Sequence, residues 1–475
     1  MLLQKKYYAL LLLVLLVGFA ATLYHRIVHF DDAWCTEQSY WLLKDGIVRS
    51  ELFRGYNYWH ERLYVFHKAF VYVQVPVLYL FGPTIWAART VPMLFTAVGL
   101  VLLLVYFRGR AAQQWLAALF YVGCGCLWTF GVDNRPETMV AACGFASFLL
   151  LQQHSARTRW VVVAGAFAGL AALTHLNGTI YIAAGCAWLA GQGHWKKAVW
   201  FGLAGGIVLS LYVADALWDN QLNRLLYQFS HDHAAQGNFN WAKKMHVMRR
   251  YDQIFFHSSG EVPLTVLFLL TVLVLTLRPA TRRLLTPTMQ YLLWLLGIFW
   301  LLTKNTNVYY YLLFVPILIV VVTELLAAAT PHLARWQRLA LLVVLCLYPL
   351  GAAVRTVELV IENQREPSIM DTNRTLAQYM PRKGAKVIAP IDFFFGQMPH
   401  YRVRSLTYYQ LIAPDNPPPL TTFFRRAAQD SVRYIICDYR QKNQVYHIPS
   451  DAPAQIGAYR RVYQDAWRGI YAYTE

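Results

Sequence analysis

The chain has 475 residues, of which 57% are hydrophobic and only 14% charged, with a mean hydropathy of +0.33. A soluble globular protein carries roughly 25% charged residues, so the deficit excludes an ordinary water-soluble domain and makes lipid the main solvent. The excess of 43 Lys and Arg over 25 Asp and Glu then asks which side of a membrane the cations occupy, and is no sign of a nucleic-acid partner.

An apolar run from Tyr7 to Tyr24 follows Lys5 and Lys6 without a small-residue cleavage site, and reads as a retained anchor. Asp31 and Asp32 come next, with Glu37 behind them. A charge at the bilayer centre costs roughly 2.5–3.5 kcal/mol on insertion scales and less near the interface. Two adjacent carboxylates beside a span therefore suggest acid–base chemistry at the membrane surface. The segment 59–81 is apolar enough to cross. However, Trp59, Leu63, Phe66, Phe70, Val73, Val77 and Leu80 form one stripe at spacings of four and three. This predicts a helix lying in the outer interface, within a first outer loop over 25–84.

Further apolar runs lie near 85–107, 114–131, 138–153, 159–174, 177–191, 196–217, 262–278, 286–303, 308–328 and 338–356, making about eleven spans with the first. If 59–81 does not cross, the inner connections carry Arg108 and Arg110, Arg157 and Arg159, Lys196 and Lys197, Arg278, Arg282 and Arg283, and Arg335 and Arg338, without any Asp or Glu. A crossing there would place all of these cations outside, against the positive-inside rule. The expected fold is thus mainly α: a polytopic membrane helix bundle over 1–357, N-terminus cytoplasmic. A small α+β extracytoplasmic domain follows over 358–475. In that domain Asp371–Met380 reads as a helix, and Ala385–Pro390 and Val432–Asp438 as strands.

This topology gathers several polar groups on one outer face: Asp31 and Asp32, Asp133-Asn134-Arg135-Pro136-Glu137, His175, and Lys304 followed by Tyr309–Tyr311. Each alone has a plain structural reading. Arg135 can pair with Glu137, Lys304 can snorkel to lipid phosphates, and a lone histidine is more often structural than catalytic. Their common side is what argues for a site. His231-Asp232-His233 has metal-ligand residue types, but adjacent side chains need not converge, and a polar outer loop is the simpler reading. No metal or other cofactor is expected, a divalent cation being the one weakly supported addition. No Walker loop or dinucleotide fingerprint occurs. The seven cysteines show no CxxC and no zinc spacing. Most read as packing residues, and only Cys35 and Cys437 would face an oxidising compartment.

The order of these features is a span, an outer acidic pair, an interfacial loop, Gly82 and Ala88-Arg89 before the next span, then Arg135-Pro136-Glu137, Lys304, Tyr311 and Pro316. It resembles the bacterial GT-C glycosyltransferases that use polyprenyl-phosphate sugars. These include protein O-mannosyltransferases, the aminoarabinose transferase of lipid A and rhizobial galacturonic acid transferases. The resemblance covers about residues 1–355. It implies that Asp31 is the catalytic base and Asp32 its acidic neighbour. Glu137 stands at a position commonly Asp, and Lys304 matches a lysine near the lipid phosphate. Arg89, Arg135, His175 and Tyr311 complete the expected substrate-binding set. One departure is the absence of a Lys-Pro-Pro-Leu stretch from the first outer loop, where His60-Glu61-Arg62-Leu63 and His67-Lys68 stand instead.

The implied reaction moves a sugar from a polyprenyl-phosphate donor to a lipid, glycan or protein acceptor outside the bacterial inner membrane, with inversion. Two rivals are a lipid-linked sugar flippase or transporter, which would place polar breaks mid-membrane, and a surface-polysaccharide polymerase or ligase.

Overall fold

The computed structural model describes residues 5–23, 26–231, 241–276, 286–303, 306–330, 334–365, 367–412, 419–440 and 448–474. The first part of the bundle runs α1 (Lys5–Thr22), α2 (Phe30–Asp45), α3 (Lys68–Phe81), α4 (Ile85–Tyr106), α5 (Ala111–Val122), α6 (Gly125–Phe130), α7 (Glu137–His154), α8 (Thr158–Thr174), α9 (Thr179–Gly191) and α10 (Trp195–Ser210). Helices Val262–Thr276, Pro287–Leu302, Val315–Ala329 and Arg335–Arg365 complete it. Among the described residues three helices are long and apolar enough to cross a membrane: Ile85–Tyr106, Trp195–Trp218 and the one beginning at Arg335. Six further apolar helices are shorter.

The run expected over 114–131 is divided between α5 and α6. A Cβ at Gly123 would lie 2.9 Å from the Tyr348 ring, and one at Gly125 would lie 2.7 Å from Cα of Gly260. The two glycines let these neighbours approach the break closely.

The first outer loop departs from the expected single helix over 59–81, because α3 begins only at Lys68. Before it the chain closes on itself, Ser50 N donating to Trp59 O (2.9 Å) and Leu63 N to Val48 O (2.8 Å). Gly55, Asn57 and Tyr58 have φ of 92°, 45° and 59°, left-handed conformations that no right-handed helix can run through. Trp59 and Leu63 therefore enter a buried cluster shared with α2 and the C-terminal unit.

That unit is built on a six-stranded sheet of order β2-β1-β3-β6-β5-β4, with β1 Lys386–Ala389, β2 Arg402–Ser405, β3 Val432–Asp438, β4 Gln455–Ile456, β5 Tyr459–Gln464 and β6 Arg468–Tyr473. Strand β1 pairs parallel with β2 and β3, and the remaining pairings are antiparallel. Side chains alternate between two cores. Val387, Val403 and Ile436 face the first outer loop, whereas Ile388, Ile435 and Tyr471 share a cluster with helix Leu420–Gln429. Helix Arg335–Arg365 runs unbroken through residues 357 and 358 into this unit. The loop and sheet are joined by Ser405 N donating to Leu52 O (2.9 Å). All seven cysteines are free; Cys35 and Cys437 are buried in separate cores and form no bridge.

Candidate active site

The two adjacent acids are separated at the start of α2. His29 caps the helix: its backbone N–H donates to Asp32 Oδ2 (2.8 Å), while its Nδ1 accepts from Asp31 N (3.3 Å). Successive helical residues are about 100° apart, so the side chains diverge. Asp32 turns inward and is fully buried. Arg89 donates to it from Nη2 (2.6 Å) and Nε (3.4 Å), and Asn134 N donates at 2.7 Å. Arg89 is buried too, and gives its remaining bonds to the carbonyls of Ile27 and Arg26. Asn134 Nδ2 reaches Thr36 Oγ1 (2.9 Å), and its Oδ1 accepts from Gln74 Nε2 (2.7 Å). This closed network ties α2, α3, α4 and the connection before α7 together. Arg89, expected among the substrate-binding residues, and Asp32, expected beside the catalytic base, are saturated by protein groups and do not line the cavity.

Asp31 turns outward into a cavity of about 550 Å³. Its carboxylate pairs with the guanidinium of Arg135. Arg135 also donates to Glu137 (2.9 and 3.2 Å) and lies over the Tyr309 ring, 3.4 Å from its centroid. Glu137 opens α7, where the helix N-terminus favours a carboxylate. It is buried beside Arg135 and holds it; Glu137 itself does not line the cavity.

His175 does line the cavity, stacked on His67 with ring centroids 4.7 Å apart. Both rings sit in connections between helices. Burial pushes His67 down to about 3, with His175 adding to the effect, and burial followed by Arg135 does the same for His175. Both imidazoles are therefore neutral at ordinary pH. Tyr309 and Tyr310 reach the cavity, but Tyr311 points into the bundle, its hydroxyl 3.0 Å from Thr265 Oγ1. Tyr311, expected among the substrate-binding residues, is not among those lining the cavity. Lys304, Asp232 and His233 lie outside the described residues. Among the described residues no cluster could hold a metal ion.

Sequence reasoning gathered Tyr309, Tyr310 and Asn134 on the outer face without assigning them roles, and missed Trp34 as a cavity wall and Gln74 as a network member. A signal existed for Gln74, the one amide in the apolar run 69–81. Arg62 and Lys68 of the first loop are engaged by carboxylates. Lys68 Nζ lies 2.5 and 2.6 Å from the Asp215 oxygens, and Arg62 is 3.0 Å from Asp219. These pairs stitch the loop to residues 214–231.

Residues 69–218 match the family model described as dolichyl-phosphate-mannose-protein mannosyltransferase. No curated protein matches the chain in sequence. Over 98% of its length the chain is similar to 98% of the crystal structure of ArnT from Cupriavidus metallidurans in the apo state, with TM-score 0.68 and 17% identity. The same protein bound to undecaprenyl phosphate gives TM-score 0.64 and 16% identity, covering 99% of this chain and 98% of that one. The archaeal oligosaccharyltransferase AglB from Archaeoglobus fulgidus, solved with an inhibitory peptide and a dolichol-phosphate, gives 0.54 and 13%, covering 92% and 70%. The GT-C fold implied by the order of sequence features is borne out.

Proposed function

We propose that this chain, a glycosyltransferase of GT-C fold, moves a sugar from a polyprenyl-phosphate donor to an extracytoplasmic acceptor, with Asp31 as general base. The observation that carries this reading is the Asp31–Arg135 pair facing one cavity. It sets a base beside a cation suited to phosphate. As the bond between the anomeric carbon and the phosphate oxygen breaks, its electrons move onto phosphate, where Arg135 stabilises them. The acceptor oxygen attacks the opposite face of the anomeric carbon and gives its proton to Asp31, a contribution typically of about 10²–10⁴-fold. One base suffices for this direct, inverting displacement.

Arg135 is shared by Asp31 and Glu137. An incoming donor phosphate competes for Arg135 and releases Asp31 toward the acceptor. Asp32 and Arg89 act as positioning residues for the turn that carries Asp31, and Lys304 is the second phosphate cation. Trp34, Tyr309 and Tyr310 offer aromatic faces to the sugar. The positive-inside distribution supports a bacterial inner-membrane protein of about eleven spans. Its catalytic bundle occupies 1–357, with the site and the unit 358–475 outside.

The reading is tested with purified chain in liposomes, offered a polyprenyl-phosphate monosaccharide or a lipid-diphosphate oligosaccharide. Release of polyprenyl phosphate from the first alone supports it. Movement of the lipid-linked sugar across the bilayer without cleavage would make the protein a flippase, and use of the oligosaccharide alone a polymerase or ligase.

A further inference from the structure

A second cavity, of about 570 Å³, opens where the ends of four helices meet. Tyr8 lines it from the first turn of α1, Gln113 and Leu116 from the start of α5, and Leu326 from near the end of helix Val315–Ala329. Arg110 comes from the connection before α5, and Arg338 from the first turn of helix Arg335–Arg365. Helix α1 begins at this cavity and leads at its other end to the turn carrying Asp31, so the two cavities lie at opposite ends of that helix.

The two arginines are its charged lining residues, and no lining residue is acidic. The carboxylate nearest Arg110 is that of Glu324, whose Oε1 lies 3.9 Å from Nη1 and already accepts from the Tyr106 hydroxyl (2.7 Å). Arg110 Nη2 donates to a carbonyl, that of Tyr106 (2.9 Å). At the wall, the buried amide oxygen of Gln113 has no partner. Tyr7 and Trp336, beside Tyr8 and Arg338, are 50% and 70% exposed. Exposed aromatic rings of this kind mark the headgroup level of a bilayer.

Arginines at the inner ends of spans need no ligand, since the positive-inside rule retains them there and they can snorkel to the interface. Snorkelling, however, asks only for open interface. Here two arginines from connections far apart in sequence flank one concave site with apolar walls. Like charges around a low-dielectric cavity without a carboxylate repel each other, and an anion between them removes that repulsion. An arginine fork matches phosphoryl oxygens.

We propose that this cavity holds an anionic phospholipid of the leaflet opposite the catalytic cavity, its phosphate between Arg110 and Arg338 and the start of an acyl chain against Leu116 and Leu326. The site is independent of the glycosyltransferase assignment. The lipid braces α1 against helix Arg335–Arg365, which lead to Asp31 and to the outer unit respectively.

The test titrates delipidated, detergent-purified full chain with phosphatidylglycerol, phosphatidylcholine or water-soluble glycerol phosphate, and counts bound copies by native mass spectrometry. Phosphatidylglycerol should bind tightest, as one copy. Its affinity should fall by about 25-fold in Arg110→Gln/Arg338→Gln, each basic side chain beside anionic lipid being worth about fivefold. It should hold in Arg110→Lys/Arg338→Lys and in Arg157→Gln/Arg159→Gln, which removes two inner cations that do not line the cavity. Equal affinity for the two lipids, or indifference to Arg110→Gln/Arg338→Gln, would overturn the proposal. An equal fall in Arg157→Gln/Arg159→Gln would reduce the effect to general surface charge and overturn it too. Glycerol phosphate binding as tightly as the lipid would make this a site for a soluble phosphate instead. In the unaltered protein, a photoactivatable phosphatidylglycerol should label peptides containing Leu116 or Leu326. Labelling confined to other helices would contradict the site even if the glutamine variant fails to fold.

Discussion

Replacing Asp32 by Asn separates a structural role from a catalytic one. Asp32 is fully buried and accepts from Arg89 Nη2 and Nε, Asn134 N and His29 N. An amide keeps the shape but removes the charge and turns one acceptor oxygen into a donor facing other donors. Arg89, only 3% exposed, is then a buried charge without its counter-ion. Breaking a buried pair from one side costs about 3–5 kcal/mol, a large share of the 5–15 kcal/mol that typically holds a folded domain together. Asp32→Asn should therefore lower the thermal unfolding temperature and folded yield of detergent-purified protein sharply. Adding Arg89→Met should recover most of the loss, because the stranded charge goes with it. A single Asp32→Asn variant as stable as wild type, or a double variant no better than the single, would refute the network account.

Two further outcomes follow from the cavity. Arg135→Gln should cut release of polyprenyl phosphate by about 10²–10³-fold, the usual loss for one donor to a developing anion. Arg135→Lys should restore only part, since a lysine cannot make the forked contact with Glu137; wild-type rates in either would contradict the assignment. His67 and His175 are held at about 3 in the folded chain, against an ordinary 6.5. The folded state thus binds fewer protons than the unfolded one between those values. Their contribution to stability is full above pH 6.5 and falls as the pH drops toward 3, by up to about 1.4 kcal/mol per pH unit for each ring. Glu37 and Asp133, raised to about 7 by burial, act in the opposite direction over the same range, so the histidine contribution is read as a difference between proteins: His67→Gln should lose less unfolding temperature than wild type between pH 7.5 and 4.5. Parallel profiles for the two proteins would refute a neutral His67.

Much of the fold was legible where one physical signal dominated. Strand β3 over Val432–Asp438 coincides with the β-branched run read from the sequence, and helix Ile369–Gln378 nearly matches Asp371–Met380. Segment 59–67 was misread because apolar periodicity says nothing of the distant partners that take its backbone groups, Val48 O for Leu63 N, Ser50 N for Trp59 O and Gln228 Oε1 for Tyr64 N. Strand β2 was missed because it is four residues long and carries two arginines. At the site, the polar clusters were found but not their orientations. Neighbours on a helix diverge by a quarter turn or more, so nothing in Asp31-Asp32 or Tyr309-Tyr310-Tyr311 says which side chain meets the cavity. Only the packed neighbours, Arg89 for Asp32 and Thr265 for Tyr311, decide it.

The central claim is that Asp31 is the base, and the direct measurement is turnover of a polyprenyl-phosphate monosaccharide by Asp31→Asn alongside its affinity for polyprenyl phosphate. The account predicts a fall in transfer of about 10²–10⁴-fold, with folding and lipid-phosphate affinity retained. Near-normal transfer by a folded, lipid-binding Asp31→Asn protein would contradict it.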